Sequence, residues 1–120
     1  MSRGRGNRAP DWVALYLRRW FPDAAKTPNS RPGRDLENTV GMAIEVKTSA
    51  EWRPNAWMRQ AAGYALDGEL GVLLYLPPGM GKAHVGEAMA IVPLRVLMPL
   101  AVAAGYAPPP TEERGEERPW

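Results

Sequence analysis

Asp35, Glu45 and Lys47 are the residues whose types and spacing could do chemistry. From Gly33 the chain reads Gly-Arg-Asp-Leu-Glu-Asn-Thr-Val-Gly-Met-Ala-Ile-Glu-Val-Lys. Glu45 and Lys47 stand two apart in a strand-like run, so both side chains leave one face while Ile44 and Val46 leave the other. If Val40-Gly41 makes a tight hairpin turn, Asp35 lies on the neighbouring strand, near the level of Glu45 or Lys47. Two carboxylates and an ammonium then converge on one patch of sheet. Acids so close repel unless a divalent cation sits between them. Such a site suits phosphodiester hydrolysis: the cation neutralises phosphate charge and lowers the pKa of a water, and the lysine orients that water or stabilises charge on phosphorus. The plain alternative is a cross-strand salt bridge on an exposed face, worth a few tenths of a kcal/mol.

The elements that must position these residues can be read along the chain. Residues 1–10, with three Arg and two Gly and little to bury, read as a disordered basic arm. Asp11 can cap a helix over 12–20, with Arg18 and Arg19 at its cation-favouring end and Pro22 as its stop. Residues 22–33 read as a loop. Two strands follow, over 34–39 and 42–48. Pro54 opens a helix over 55–66 that Asp67-Gly68 ends. The apolar run 71–76 reads as a buried central strand. After the loop 77–82 come a strand over 87–92 and a helix over 94–104, which Pro99 should kink or break. Residues 108–120 read as a disordered charged tail. The expected fold is one α/β domain over 11–107, a mixed β-sheet flanked by helices in the order α-β-β-α-β-β-α.

Composition narrows the chemistry. At 120 residues, 45% of them hydrophobic, the chain is long enough for one modest core. It has no cysteine and a single histidine, His84, which rules out disulfides, thiolate metal sites, cysteine nucleophiles and a zinc site of several imidazoles. Any metal must be held mainly by carboxylate and carbonyl oxygens, which points to magnesium, with manganese as a substitute. The net charge of +2 is uneven. Arg3, Arg5, Arg8, Arg18, Arg19, Lys26, Arg31 and Arg34 face only Asp11 and Asp23 in the first 34 residues. A basic front suits a polyanion, although on charge alone a solvated surface with a disordered basic arm is the plainer reading. The apolar stretch 88–104 is broken by Pro93, Arg95 and Pro99 and too short to span a bilayer. We expect no membrane partner and a cytoplasmic location, that of the host if the chain is phage-encoded.

The segment from Gly33 to Thr48 resembles the PD-(D/E)XK nuclease motif, and most closely that of small phage-encoded Holliday-junction-resolvase-like proteins. The looser likeness runs from Asp11 to Tyr106. It implies a restriction-endonuclease-like fold in which Asp35, Glu45 and the Val46 carbonyl bind magnesium and Lys47 is catalytic. It also implies an acid from the first helix, for which Asp11 is the candidate ligand as well as the candidate helix cap. Gln60 and Tyr64 match the Gln-X-X-X-Tyr signature of RecB-like members. Their spacing of four puts both on one helix face, and the resemblance implies that Gln60 lies beside the active site and that both residues can touch DNA, as in those members.

Around this centre, Arg34, Arg53, Arg59 and Tyr64, with Arg3, Arg5 and Arg8 of the arm, are candidate nucleic-acid contacts. Trp52 and Trp57 suit either stacking on bases or core packing. Glu37 is a second acid or a solvated edge residue. The run from Pro78 to Lys82 fails the phosphate-loop pattern, having Leu76 for its first glycine and Ala83 for its Ser/Thr, so no nucleotide cofactor is expected. The leading expectation is a magnesium-dependent endonuclease acting on branched or structured DNA as a homodimer. A RecB-like exonuclease or end-processing nuclease and a non-catalytic DNA-binding or assembly protein are the alternatives. The apolar region from Ile91 to Val102 is either the closing core helix or the dimer interface.

Overall fold

A computed structural model describes residues 7–28 and 33–111. The order is α1 (Ala9–Leu17), β1 (Ala25–Lys26), β2 (Leu36–Glu37), β3 (Met42–Lys47), α2 (Pro54–Tyr64), β4 (Leu70–Tyr75), β5 (Met89–Ile91) and α3 (Leu94–Ala103), with a 3-10 segment Lys82–Glu87 before β5. It is an α/β fold around a mixed sheet. β3 pairs in parallel with β4, and β4 antiparallel with β5, in the order β3-β4-β5. The apolar run expected as a central strand is β4.

Residue alternation gives the sheet two apolar faces. Ile44, Val46 and Leu76 pack with Ala9, Val13 and Ala14 of α1 and with Leu36. Leu73 and Tyr75 pack with Trp57 of α2. Glu45 is the register partner of Leu73 and Lys47 that of Tyr75, so both charged residues stand on the α2 face. The expected alternation holds, but helix α2 covers the face that carries the charges. Gly71 lets the helix come close: a Cβ there would lie 3.3 Å from the Ala61 carbonyl oxygen.

Several expectations need correction. Helix α1 starts three residues early. Asn7 Oδ1 accepts the Ala9 N–H, Pro10 fits the first turn, and Ala9 and Pro10 are buried. Asp11 therefore sits inside the first turn and is not the cap. Residues 7–10 belong to the folded unit, while Arg3 and Arg5 lie outside the described residues, as do residues 112–120 of the expected tail. The loop expected over 22–33 contains β1.

The expected hairpin is absent. β2 pairs antiparallel with β1, through Ala25 with Glu37 and Lys26 with Leu36, and not with β3. Asn38 and Gly41 take positive φ, and the Met42 N–H closes a turn on the Thr39 carbonyl. The Asp35 carboxylate, rather than a ladder carbonyl, accepts the Val46 N–H on the outer edge of β3. The order thus gains a strand, α-β-β-β-α-β-β-α. Helix α3 runs unbroken through Pro99 and contributes no buried residue. Among the described residues no helix is long and apolar enough to cross a membrane.

Candidate metal centre at the edge of strand β3

Glu45 is the least ordinary residue of the fold. It is 2% exposed, in the middle of a strand. Its Oε2 lies 3.6 Å from Lys47 Nζ, and its Oε1 accepts no hydrogen bond among the described residues. A buried carboxylate oxygen with no donor is costly unless a proton or a cation meets it. Burial and the neighbouring Asp35 charge, opposed by Lys47, push the Glu45 carboxyl up to about 7.

Asp35 reaches the same place from the loop before β2. Its Oδ2 accepts the Val46 N–H at 2.7 Å. Burial raises its carboxyl above the ordinary carboxylate value, against the pull of that hydrogen bond and of Lys47 and Lys26. The carbonyls of Gly41 and Lys47 face β4, where they accept the N–H groups of Leu70 and Leu76. By strand alternation the Val46 carbonyl faces away from β4, along the edge where Asp35 sits. Asp35, Glu45, Lys47 and the Val46 backbone therefore share one spot, brought together by an edge hydrogen bond instead of a hairpin ladder.

The donor set fits a hard divalent cation: two partly or fully buried carboxylates whose pKa values are both raised, Glu45 in part by the charge of Asp35, with an orphaned oxygen on Glu45 and the outward-facing edge of Val46 beside them. No third acid joins them. Among the described residues no group of three His, Cys, Asp or Glu side chains is placed to hold a metal. Asp11 is exposed on α1, in a surface depression with Arg8, Trp12 and Lys82, and Glu37 likewise completes no such group.

The remaining expected site residues divide into three groups. Arg34 is fully engaged: it clasps Glu69 through two hydrogen bonds of 2.7 and 3.0 Å and donates to the Tyr64 carbonyl at 2.7 Å. That hydrogen-bonded pairing holds Glu69 below the usual carboxylate range. Glu69 also accepts the Leu66 N–H, so the clasp ties the residue before Asp35 to the end of α2. Arg34 thus has a structural occupation in the fold, joining the start of the Asp35 loop to Glu69 and Tyr64.

Gln60 and Tyr64 form the second group. Met58, Ala62 and Ala65 line a depression towards Pro93 and Val96, on the β5 side of α2. Helical spacing puts Gln60 and Tyr64 on the opposite flank of the helix, and Gln60 is exposed, with no hydrogen bond to Glu45 or Lys47 among the described residues. Arg8, Arg53 and Arg59, the third group, are exposed, with Arg53 Nη2 3.2 Å from Glu51 Oε1.

Lys26 is a residue that the sequence reading passed over as part of a loop. It borders a small cleft of about 150 Å³ with Thr27, Gly33 and Asp35. A strand of two residues has no periodicity to reveal it; its charge beside a Pro/Gly-rich loop was the only signal. Compared with protein-family models, with curated proteins and with solved structures, the chain finds no match in any of the three.

Proposed function

We propose that this chain is a metal-dependent nuclease of the PD-(D/E)XK type, hydrolysing phosphodiester bonds in branched or otherwise structured DNA. The observation that carries the reading is Glu45, buried on a strand with one oxygen unpartnered, next to Asp35 and followed two residues later by Lys47. Asp35, Glu45 and the Val46 carbonyl would hold magnesium, or manganese in its place. A bound cation supplies charge neutralisation at the phosphate and acidifies a coordinated water. Lys47 orients the attacking water and stabilises the charge that gathers on the phosphoryl oxygens. Lys26, across the cleft from Asp35, adds a second positive charge on the substrate side.

The site is small and lies at a sheet edge, where a strand of nucleic acid can reach it. A two-fold assembly would present two such edges to the paired strands of a junction. Helix α3 supports that assembly, because Leu94, Leu97, Met98 and Leu100 are all exposed large apolar residues. A RecB-like exonuclease is the second reading, supported by Gln60 and Tyr64 on one flank of α2. Purified protein with magnesium, offered labelled single-stranded, duplex, flap and four-way DNA, separates them. Symmetric nicks in the four-way substrate are expected. Degradation from linear ends with no junction cutting would select the exonuclease, and no cleavage of any substrate would reject both.

A further inference from the structure

Past the end of β3 the chain makes a loop, residues 48–53, that presents Trp52 to solvent. The indole is 51% exposed, yet it is not loose. It meets Tyr75 edge-on at 4.7 Å between ring centroids and Trp57 edge-on at 5.7 Å, and those two rings stack on each other at 5.8 Å. Trp57 and Tyr75 are themselves buried against Leu73. Tyr75 Oη donates to the Ser49 carbonyl at 2.9 Å, and Ser49 Oγ accepts the Glu51 N–H, so the loop is fixed at two points. Tyr75 is also the register partner of Lys47, which places this aromatic cluster on the same sheet face as Glu45 and Lys47, immediately beyond them.

A half-exposed indole, held rigid by buried rings, loses little freedom when a flat partner covers it. The surface around it selects the partner. Lys47, beside Glu45, precedes the loop, Arg53, ion-paired with Glu51, follows Trp52, and Arg59 is exposed one turn and a half into α2, so cations outnumber the one acid in the loop. Aromatic surface set among cations matches a nucleobase on a phosphate backbone better than it matches an apolar protein segment. A base inside a continuous duplex must first be unstacked, which costs free energy, before a side chain can cover it; an unpaired one at a branch, flap or single-stranded stretch is already available.

We propose that Trp52 is the stacking platform for one unpaired nucleobase adjacent to the phosphate at the β3 centre, and that it gives the site its preference for nucleic acid with unpaired bases. This inference rests on the nuclease reading and adds to it a substrate feature and a residue that reads it. The full-length protein is tested with magnesium on a continuous duplex and on a flap of the same sequence carrying 2-aminopurine at the first unpaired position, for the parent, Trp52→Phe, Trp52→Leu and Trp52→Ala.

Trp52→Ala should raise KM for the flap about tenfold, with a smaller change in kcat, and leave the duplex KM unchanged. Trp52→Phe should stay within about threefold of the parent, because a ring remains. Trp52→Leu, which keeps apolar packing without a ring, should behave as Trp52→Ala and covers the case in which the alanine variant is unstable. The 2-aminopurine signal should be quenched by the parent and not by Trp52→Leu. Parent-like flap kinetics and quenching in Trp52→Leu would overturn the stacking role, as would an equal loss on duplex and flap or a change confined to the oligomeric state. A parent protein that cleaves neither substrate would instead overturn the nuclease reading on which the inference stands.

Discussion

Two apolar regions of this chain meet opposite fates. Around β3 and β4 the apolar residues are covered on both faces, by α1 and by α2, with Leu36, Ile44, Leu73 and Leu76 fully buried. In α3 Leu94, Leu97 and Leu100 are 69, 46 and 47% exposed, and no residue of the helix is buried. The first region also holds an expensive guest, a buried glutamate with one oxygen unpartnered among the described residues, whose cost a proton or a cation must offset. The second holds one charged residue, Arg95, and spends its apolar surface on solvent. The difference separates a scaffold packed within one chain from an apolar surface left to solvent, which the proposed two-fold assembly would cover. The clasp of Arg34 with Glu69 belongs to the scaffold, because it fixes the chain directly before Asp35.

Core truncation should show the contrast most strongly. Leu73→Ala should lose about 2–5 kcal/mol of unfolding free energy, measured by urea denaturation of dilute protein. Leu97→Ala should lose less than about 1 kcal/mol under the same conditions. Light scattering at micromolar concentration should give twice the 13.2 kDa chain mass for the parent and the single mass for a Leu97→Glu, Leu100→Glu double variant. A monomeric parent, or equal losses at Leu73 and Leu97, would break the comparison.

The buried glutamate should make the metal-free fold sensitive to pH. Its folded-state pKa is raised from 4.5 to about 7, so the native state holds the proton more tightly than the unfolded chain. That contribution to stability is present below the unfolded value and is lost as pH rises through the folded one. Asp35, shifted in the same direction, adds to it. Metal-free protein should lose on the order of 3 kcal/mol between pH 4.5 and pH 8 through Glu45 alone, and Glu45→Gln should remove most of that slope. Magnesium should restore the loss at pH 8 and do little at pH 5, where it competes with protons. An equally steep pH profile in Glu45→Gln would remove Glu45 as its source.

A smaller effect is expected from the basic arm. Ala9 and Pro10 are core residues, so the deletion that tests Arg3 and Arg5 stops short of them and spans residues 2–6. It should lower the salt slope of DNA binding by up to about 2 if both arginines meet phosphates. An unchanged slope would show that neither does.

Sequence pattern carried the short-range part of this structure. Glu45 and Lys47 on one face of β3, β4 as a buried central strand, and Pro54 at the start of α2 all follow from local periodicity and local backbone chemistry. What stayed hidden depends on partners far along the chain. The Arg34 contact with Glu69 spans 35 residues, so nothing near Arg34 showed that its guanidinium was engaged. The two-residue strand β1 is too short for a period, and its pairing with β2 replaced the hairpin that Val40-Gly41 implied. The convergence of Asp35 on Glu45 was legible, although the bond that produces it runs from side chain to strand edge. The start of α1 differs because Asp11 is a good cap by type, whereas Arg8 holds the cap position, with Pro10 in the first turn and Asn7 Oδ1 accepting the Ala9 N–H.

The central claim is that Asp35 and Glu45 hold a divalent cation for phosphodiester hydrolysis. The most direct measurement is cleavage of labelled four-way DNA at pH 8 across a magnesium titration, by the parent and by Glu45→Gln, with the magnesium-induced rise in melting temperature followed on the same samples. The account predicts saturable magnesium-dependent cleavage and a thermal shift in the parent, with both lost in Glu45→Gln while that variant stays folded and is the more stable of the two without metal. Parent-like cleavage by Glu45→Gln, or cleavage by the parent that persists in EDTA, would contradict it.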